Sequence, residues 1–96
     1  MSMYNPPHPG EFIREVYLEP YGISHNEVAR KLNVSPSTLN RILQAKSNIS
    51  PEMALKLSIT LGRSPESWLV MQNSFNLWKA RKNLNLDSVE KLDIAA

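Results

Sequence analysis

The sequence predicts an all-α domain of five short helices, and three observations carry that expectation. Apolar residues recur at three- and four-residue steps through most of the chain, and no segment alternates convincingly as a strand. Serine-proline pairs recur at Ser35-Pro36, Ser50-Pro51 and Ser64-Pro65. Each supplies an N-cap followed by a residue whose missing N–H costs nothing at the first helical position. Between residues 24 and 46, two helix patterns follow one another with only Asn33, Val34 and Ser35 between them.

The first helix is expected over residues 9–18, with His8 in its opening turn and Phe12, Ile13, Val16 and Tyr17 inward. The second begins at Ser24, where Glu27 three residues later completes a capping-box pattern, and its apolar stripe is Val28, Ala29 and Leu32. Asn33 occupies the turn, where its side chain tolerates a left-handed backbone. Leu32 and Val34 are expected to point into the core on either side of it. The third helix follows Ser35-Pro36 and buries Leu39, Ile42 and Leu43. Met53, Leu57 and Leu61, widened by Ala54 and Leu55, predict a fourth helix over 51–61, stopped by Gly62. The fifth is expected over 65–80, and residues from about 83 read as an irregular tail. The division is therefore a domain over 1–82 and a tail over 83–96.

Two helices joined this tightly cross steeply, and the second projects a polar face from the domain. That is helix-turn-helix geometry, in which the second helix enters the DNA major groove. The projecting face carries Ser37, Thr38, Asn40, Arg41 and Gln44, with Lys46 just beyond, and none of these is acidic. An ordinary solvated helix mixes Glu with Lys. Arg30, Lys31, Arg41 and Lys46 against Glu27 give residues 24–46 a net charge of +3. Residues 1–23, with Arg14 against Glu11, Glu15 and Glu19, carry −2. The overall +2 thus conceals a basic patch on the motif, as polyanion binding requires.

Other function classes find little support. The 96 residues suit one small core. There is no cysteine, hence neither disulfide nor thiolate metal site. His8 and His25 stand far apart and predict no zinc site. No serine sits in a G-x-S-x-G turn, and serines at helix starts are explained by capping, so neither an enzyme nor a cofactor is expected. No apolar run approaches the roughly 18–20 residues needed to span a membrane. The N-terminus lacks the basic and apolar regions of a signal peptide, and a soluble, cytoplasmic protein is expected.

Trp68, Met71, Phe75 and Trp78 recur at three- and four-residue steps along the fifth helix, while Leu69, Val70 and Leu77 lie on other faces. Trp68 suits the core. A helix apolar on more than one side needs a second partner, which predicts a homodimer through Met71, Phe75 and Trp78. Lys79, Arg81 and Lys82 read as a solvated helix end.

Five helices with the motif at the second and third resemble the lambda-repressor-like DNA-binding domain. More specific segments are His8-Pro9-Gly10-Glu11, Lys46-Ser47-Asn48-Ile49-Ser50-Pro51-Glu52-Met53, and Ser64-Pro65-Glu66-Ser67-Trp68-Leu69, with Asn73, Phe75, Leu77, Trp78 and Ala80 beyond. Together these are similar to the HigA-type antitoxins of bacterial toxin–antitoxin modules, over residues 7–80. The resemblance implies a dimer that binds a palindromic operator, represses its own operon and binds a RelE-like ribonuclease toxin of HigB type. Carried over by position, it places Ser37, Thr38 and Arg41 at base edges, and His25, Ser35, Asn40 and Lys46 at the DNA backbone. Pro36 stands where related phage repressors often have a contacting glutamine, leaving base reading there to its neighbours. Two other readings stay open: a free-standing transcriptional regulator without a toxin, and a helical module whose motif faces protein.

Overall fold

Four of the five helices open on a serine whose hydroxyl accepts a hydrogen bond from a backbone N–H three residues on. The pairs are Ser24 with Glu27, Ser35 with Thr38, Ser50 with Met53 and Ser64 with Ser67, all at 3.1–3.2 Å. Each such cap stabilises a helix start by about 1 kcal/mol. Only the serine half of the expected capping box forms at Ser24. The computed structural model describes residues 5–94. The first four residues of the expected domain and the last two of the expected tail lie outside the described residues.

The helices are α1 (residues 9–21), α2 (His25–Leu32), α3 (Pro36–Leu43), α4 (Pro51–Thr60) and α5 (Pro65–Asn83), and no strand occurs among the described residues. α1 runs past its expected end because it changes pitch. An α-helical turn, Pro9–Ile13, passes into a π-helical segment, Arg14–Leu18, and then into Glu19–Tyr21. Pro20 explains this: it has no N–H, and in an ordinary helix its ring would collide with the carbonyl four residues back. The wide turn also shifts the register. Val16, expected inward, is 42% exposed, while Leu18 is buried.

Ile13, Leu39, Ala54 and Trp68 lie at the centre of the core, each fully inaccessible. They come from α1, α3, α4 and α5, so four helices share one apolar centre. Phe12 and Tyr17 pack around Trp68, whose indole N–H donates to the Gly62 carbonyl at 3.0 Å. Gly62 follows α4 with φ +97°, a conformation that ends the helix where expected. Leu55 does not widen the buried stripe. It lies about 200° round the helix from Met53, and it is exposed together with Ile59.

α5 reaches Asn83, three residues beyond its expected end. Residues 84–94 then continue without a regular element, held by local bonds from Asp87 N–H to Asn85 Oδ1 and from Val89 N–H to Leu86 C=O. The radius of gyration is 16.6 Å, against roughly 12 Å for a compact domain of this length. The exposed end of α5 and the segment after it account for the excess.

Candidate nucleic-acid interface

The turn between α2 and α3 closes as the sequence demands. Asn33 sits at φ 60°, ψ 45°, the left-handed region. Its N–H and that of Val34 reach back to the carbonyls of Arg30 and Ala29 at 3.1 and 3.0 Å, satisfying the open end of α2. Leu32 is buried and Val34 is half-buried against the core, as expected.

α3 buries Leu39, Ile42 and Leu43. At 100° per residue, the opposite side carries Ser37, Arg41 and Gln44, with Thr38 and Asn40 on its two flanks. All are exposed except Asn40, which is half-buried. Ser35, Ser37 and Thr38 form one hydroxyl cluster at the helix start. Ser35 Oγ donates to Thr38 Oγ1 at 2.9 Å and lies 3.3 Å from Ser37 Oγ. Hydroxyls beside the unpaired N–H groups of a helix start suit an anionic partner. Arg41 projects one turn further along. Beyond the helix, Ala45 takes a left-handed φ of 60°, and Lys46 N–H closes on the Arg41 carbonyl at 2.8 Å. This reversal leaves the Lys46 side chain exposed past the helix end. His25, the first residue of α2, is exposed and shares a cleft wall with Asn40.

Of the expected DNA contacts, the structure therefore brings Ser35, Ser37, Thr38, Asn40, Arg41, His25 and Lys46 to the ends and exposed surface of α2 and α3. The expected dimer residues stand differently. Met71, Phe75 and Trp78 are each half-buried within the single chain. Met71 packs on the core, Phe75 meets the His8 ring edge-on at 5.0 Å, and Trp78 tilts against Phe75 with Lys82 over its face. The outermost apolar side chains of this region are Val70, Leu77 and Leu84, seven residues apart and 63%, 44% and 59% exposed.

Three residues that hold the interface in place escaped the sequence reading. A Cβ on Gly10 would stand 1.8 Å from the Ile42 carbonyl oxygen and 2.8 Å from Leu43 Cα, so only glycine lets α1 touch the backbone of α3. A glycine just inside a helix start is the available signal for such an approach. Arg14 Nε donates to the Leu43 carbonyl at 3.2 Å. Gln72, buried on α5, accepts from Ile49 N–H at 2.8 Å and donates to Asn48 and Asn76, tying α5 to the loop behind α3. Nothing in the sequence distinguishes Gln72 from a solvent-facing glutamine except its place one turn after Trp68.

His8 joins the same junction. It caps α1 by accepting from Gly10 N–H at Nδ1, 2.9 Å away, while Nε2 is buried without a well-formed hydrogen bond. Burial holds its pKa below the ordinary histidine value and Lys79 pushes the same way, partly offset by the Ser47 backbone. The neutral ring is the form that can cap. No group of three or more possible metal-ligating side chains occurs among the described residues.

Comparison with known proteins agrees with this geometry. The helix-turn-helix family model matches residues 13–68. The HTH-type transcriptional regulator YddM of Escherichia coli (strain K12) is 40% identical over 92 residues, which is 96% of this chain and 97% of that one. The structure of antitoxin GraA superposes with a TM-score of 0.87 at 39% identity, covering 93% of this chain and 99% of GraA. GraA in complex with its operator superposes at 0.84, with 38% identity and 95% of each chain covered. Pseudomonas aeruginosa antitoxin HigA with the higBA promoter gives 0.74 at 30% identity, over 88% of this chain and 99% of HigA. The chain belongs to the Xre-like helix-turn-helix family, a non-enzymatic DNA-binding class whose HigA and GraA antitoxins share its fold.

Proposed function

We propose that this protein is a HigA-like antitoxin that binds operator DNA as a homodimer, represses its own operon and binds a RelE-like, HigB-type toxin. The observation that carries the reading is the exposed face of α3, rich in donors, free of acids and held at a tight turn. In this reading Ser37, Thr38 and Arg41 meet base edges in the major groove, where arginine bridges guanine O6 and N7. His25, Ser35, Asn40 and Lys46 hold the phosphates on either side. The operator and promoter in the names of the GraA and HigA structures support the DNA partner. The antitoxin names support the toxin partner by family alone.

A palindromic operator calls for a two-fold axis, and α5 is the surface best suited to supply it. The exposed rims of Met71, Phe75 and Trp78 lie on that helix, with Val70 and Leu77 outermost. Residues 1–82 would then be the DNA-binding and dimerising domain and 83–96 a separate tail. The name of YddM, an HTH-type transcriptional regulator, also suits a second reading, a free-standing transcriptional regulator without a toxin partner.

Two experiments separate the readings. Footprinting on the protein's own promoter should protect a palindrome with half-sites one helical turn or a multiple apart. Co-expression with the adjacent reading frame should yield a stoichiometric complex and relieve that gene's toxicity. A harmless neighbour and no complex would leave the free-standing regulator. Absence of any DNA binding would leave the protein-facing module.

A further inference from the structure

Arg14 lies on α1 and is the single Lys or Arg in the first 29 residues. Its guanidinium is already half engaged. The Nε bond to Leu43 satisfies a carbonyl that the end of α3 leaves open, and it places positive charge at the negative end of that helix dipole. The π-helical turn brings Glu19, five residues on, to the same side, with its carboxylate 3.9 Å from a terminal nitrogen. That pair is long and solvent-exposed, and such pairs bind weakly.

The remaining guanidinium edge is open. The side chain is 39% exposed. With His25, Asn40, Leu43 and Gln44 it walls an open cleft of about 510 Å³ between α1, α2 and α3. Four of these five side chains carry a potential donor and none is acidic. The cleft adjoins the base-reading face on its Asn40 flank, where the sugar-phosphate backbone passes when α3 lies in a major groove.

We propose that this cleft seats a phosphodiester of the DNA backbone, with Arg14 as its anchor. The proposal rests on the DNA-binding reading of α3 and adds a contact from outside the helix-turn-helix. Arginine suits the place because its planar fork of five donors can keep one edge on the Leu43 carbonyl while the other takes a phosphate. A lysine ammonium is a compact point charge that serves one or the other. The residue that fixes the end of the recognition helix thereby also registers that helix on the duplex. Glu19 competes with the phosphate for the same nitrogens.

Three variants test this on cognate and scrambled duplexes across a salt series, with far-UV circular dichroism and urea midpoints as folding controls. Arg14→Gln keeps a donor for Leu43 but no charge. It should weaken both duplexes by the same factor and lower the salt slope by about one unit per half-site. Arg14→Lys should keep the slope and lose part of the cognate-to-scrambled ratio. Glu19→Gln, which leaves Arg14 in place, should tighten binding to both duplexes at low salt. A salt slope unchanged in folded Arg14→Gln, or Glu19→Gln binding no tighter than the parent, would overturn the proposal and leave Arg14 a helix cap alone. If the parent protein binds neither duplex, the DNA reading itself fails, a result distinct from either.

Discussion

The pair α2–α3 and the long helix α5 solve opposite problems with similar residues. In α2 and α3 every large apolar side chain is buried, and what remains outside is polar. α5 buries a glutamine and leaves Val70 and Leu77 in solvent. The first pattern belongs to a helix with one apolar partner, the core, and a polar partner outside. The second belongs to a helix that packs on its own domain with one face and has an apolar face left over. α3 is joined to α1 and α5 by a junction of backbone approach and hydrogen bonds: from α1, Gly10 against Ile42 and Leu43 and Arg14 on Leu43, and from α5, Gln72 on Ile49 in the loop after α3. The contrast teaches that the reading surface is specified locally, whereas its placement against the rest of the molecule depends on contacts distant in sequence.

The largest predicted effect lies at that junction. Gly10→Ala drives a methyl into the α3 backbone, which cannot give way as a side chain would. Overpacking of this kind costs typically about 1–3 kcal/mol, and a backbone obstacle puts this one at or above the upper end. The loss appears as a lower urea midpoint. An unchanged midpoint would show that α1 and α3 need not touch.

Gln72→Leu comes next. It leaves Ile49 N–H buried without a partner, which costs about 1–3 kcal/mol. If Gln72 were merely filling space, leucine would be neutral or stabilising in the same denaturation experiment.

Two double variants sharpen the reading of α5. Val70→Ser with Leu77→Ser should shift the protein to monomer by light scattering while helicity persists, because both side chains are outside the core. Phe75→Ser with Trp78→Ser should do the same at a further cost in stability, since Phe75 also packs on His8. If both pairs stay dimeric, the two-fold lies elsewhere.

The smallest effect concerns pH. Folding favours neutral His8, whereas the unfolded chain returns it to the ordinary value of 6.5. Below that pH the unfolded state binds more protons, so stability falls. The contribution is complete above about pH 6.5 and is lost as pH drops towards the lowered folded value. His8→Asn keeps a capping side chain that does not titrate, and it should flatten this acid-side slope. An identical slope in the variant would assign it to other groups.

Much of this architecture is legible in the residues themselves. The serine caps, the turn at Asn33 and the buried stripes of α2 and α3 follow from local chemistry and helical period, and the structure places them where those rules put them. Val16 and Leu55 show where the reading gave out. Val16 turns outward because Pro20, four residues on, forces a wide turn that no apolar count reveals. Leu55 looked like part of a stripe because α4 is apolar nearly all round, so its period is weak. Arg14 and Gln72 were illegible for another reason: their partners lie 29 and 23 residues away. A hydrogen bond across that separation leaves no periodic trace.

If α3 reads sequence while its flanks hold phosphates, one titration separates the two kinds of contact. Parent protein, Arg41→Ala and Lys46→Ala are measured on cognate and scrambled duplexes across a salt series. Arg41→Ala should cost about 1–3 kcal/mol per half-site on the cognate duplex and relax preference at one base pair. Lys46→Ala should weaken both duplexes alike and lower the salt slope by about one unit per half-site. Equal loss on both duplexes for Arg41→Ala would contradict base reading by that residue, making it a phosphate clamp and leaving Ser37 and Thr38 to read the bases.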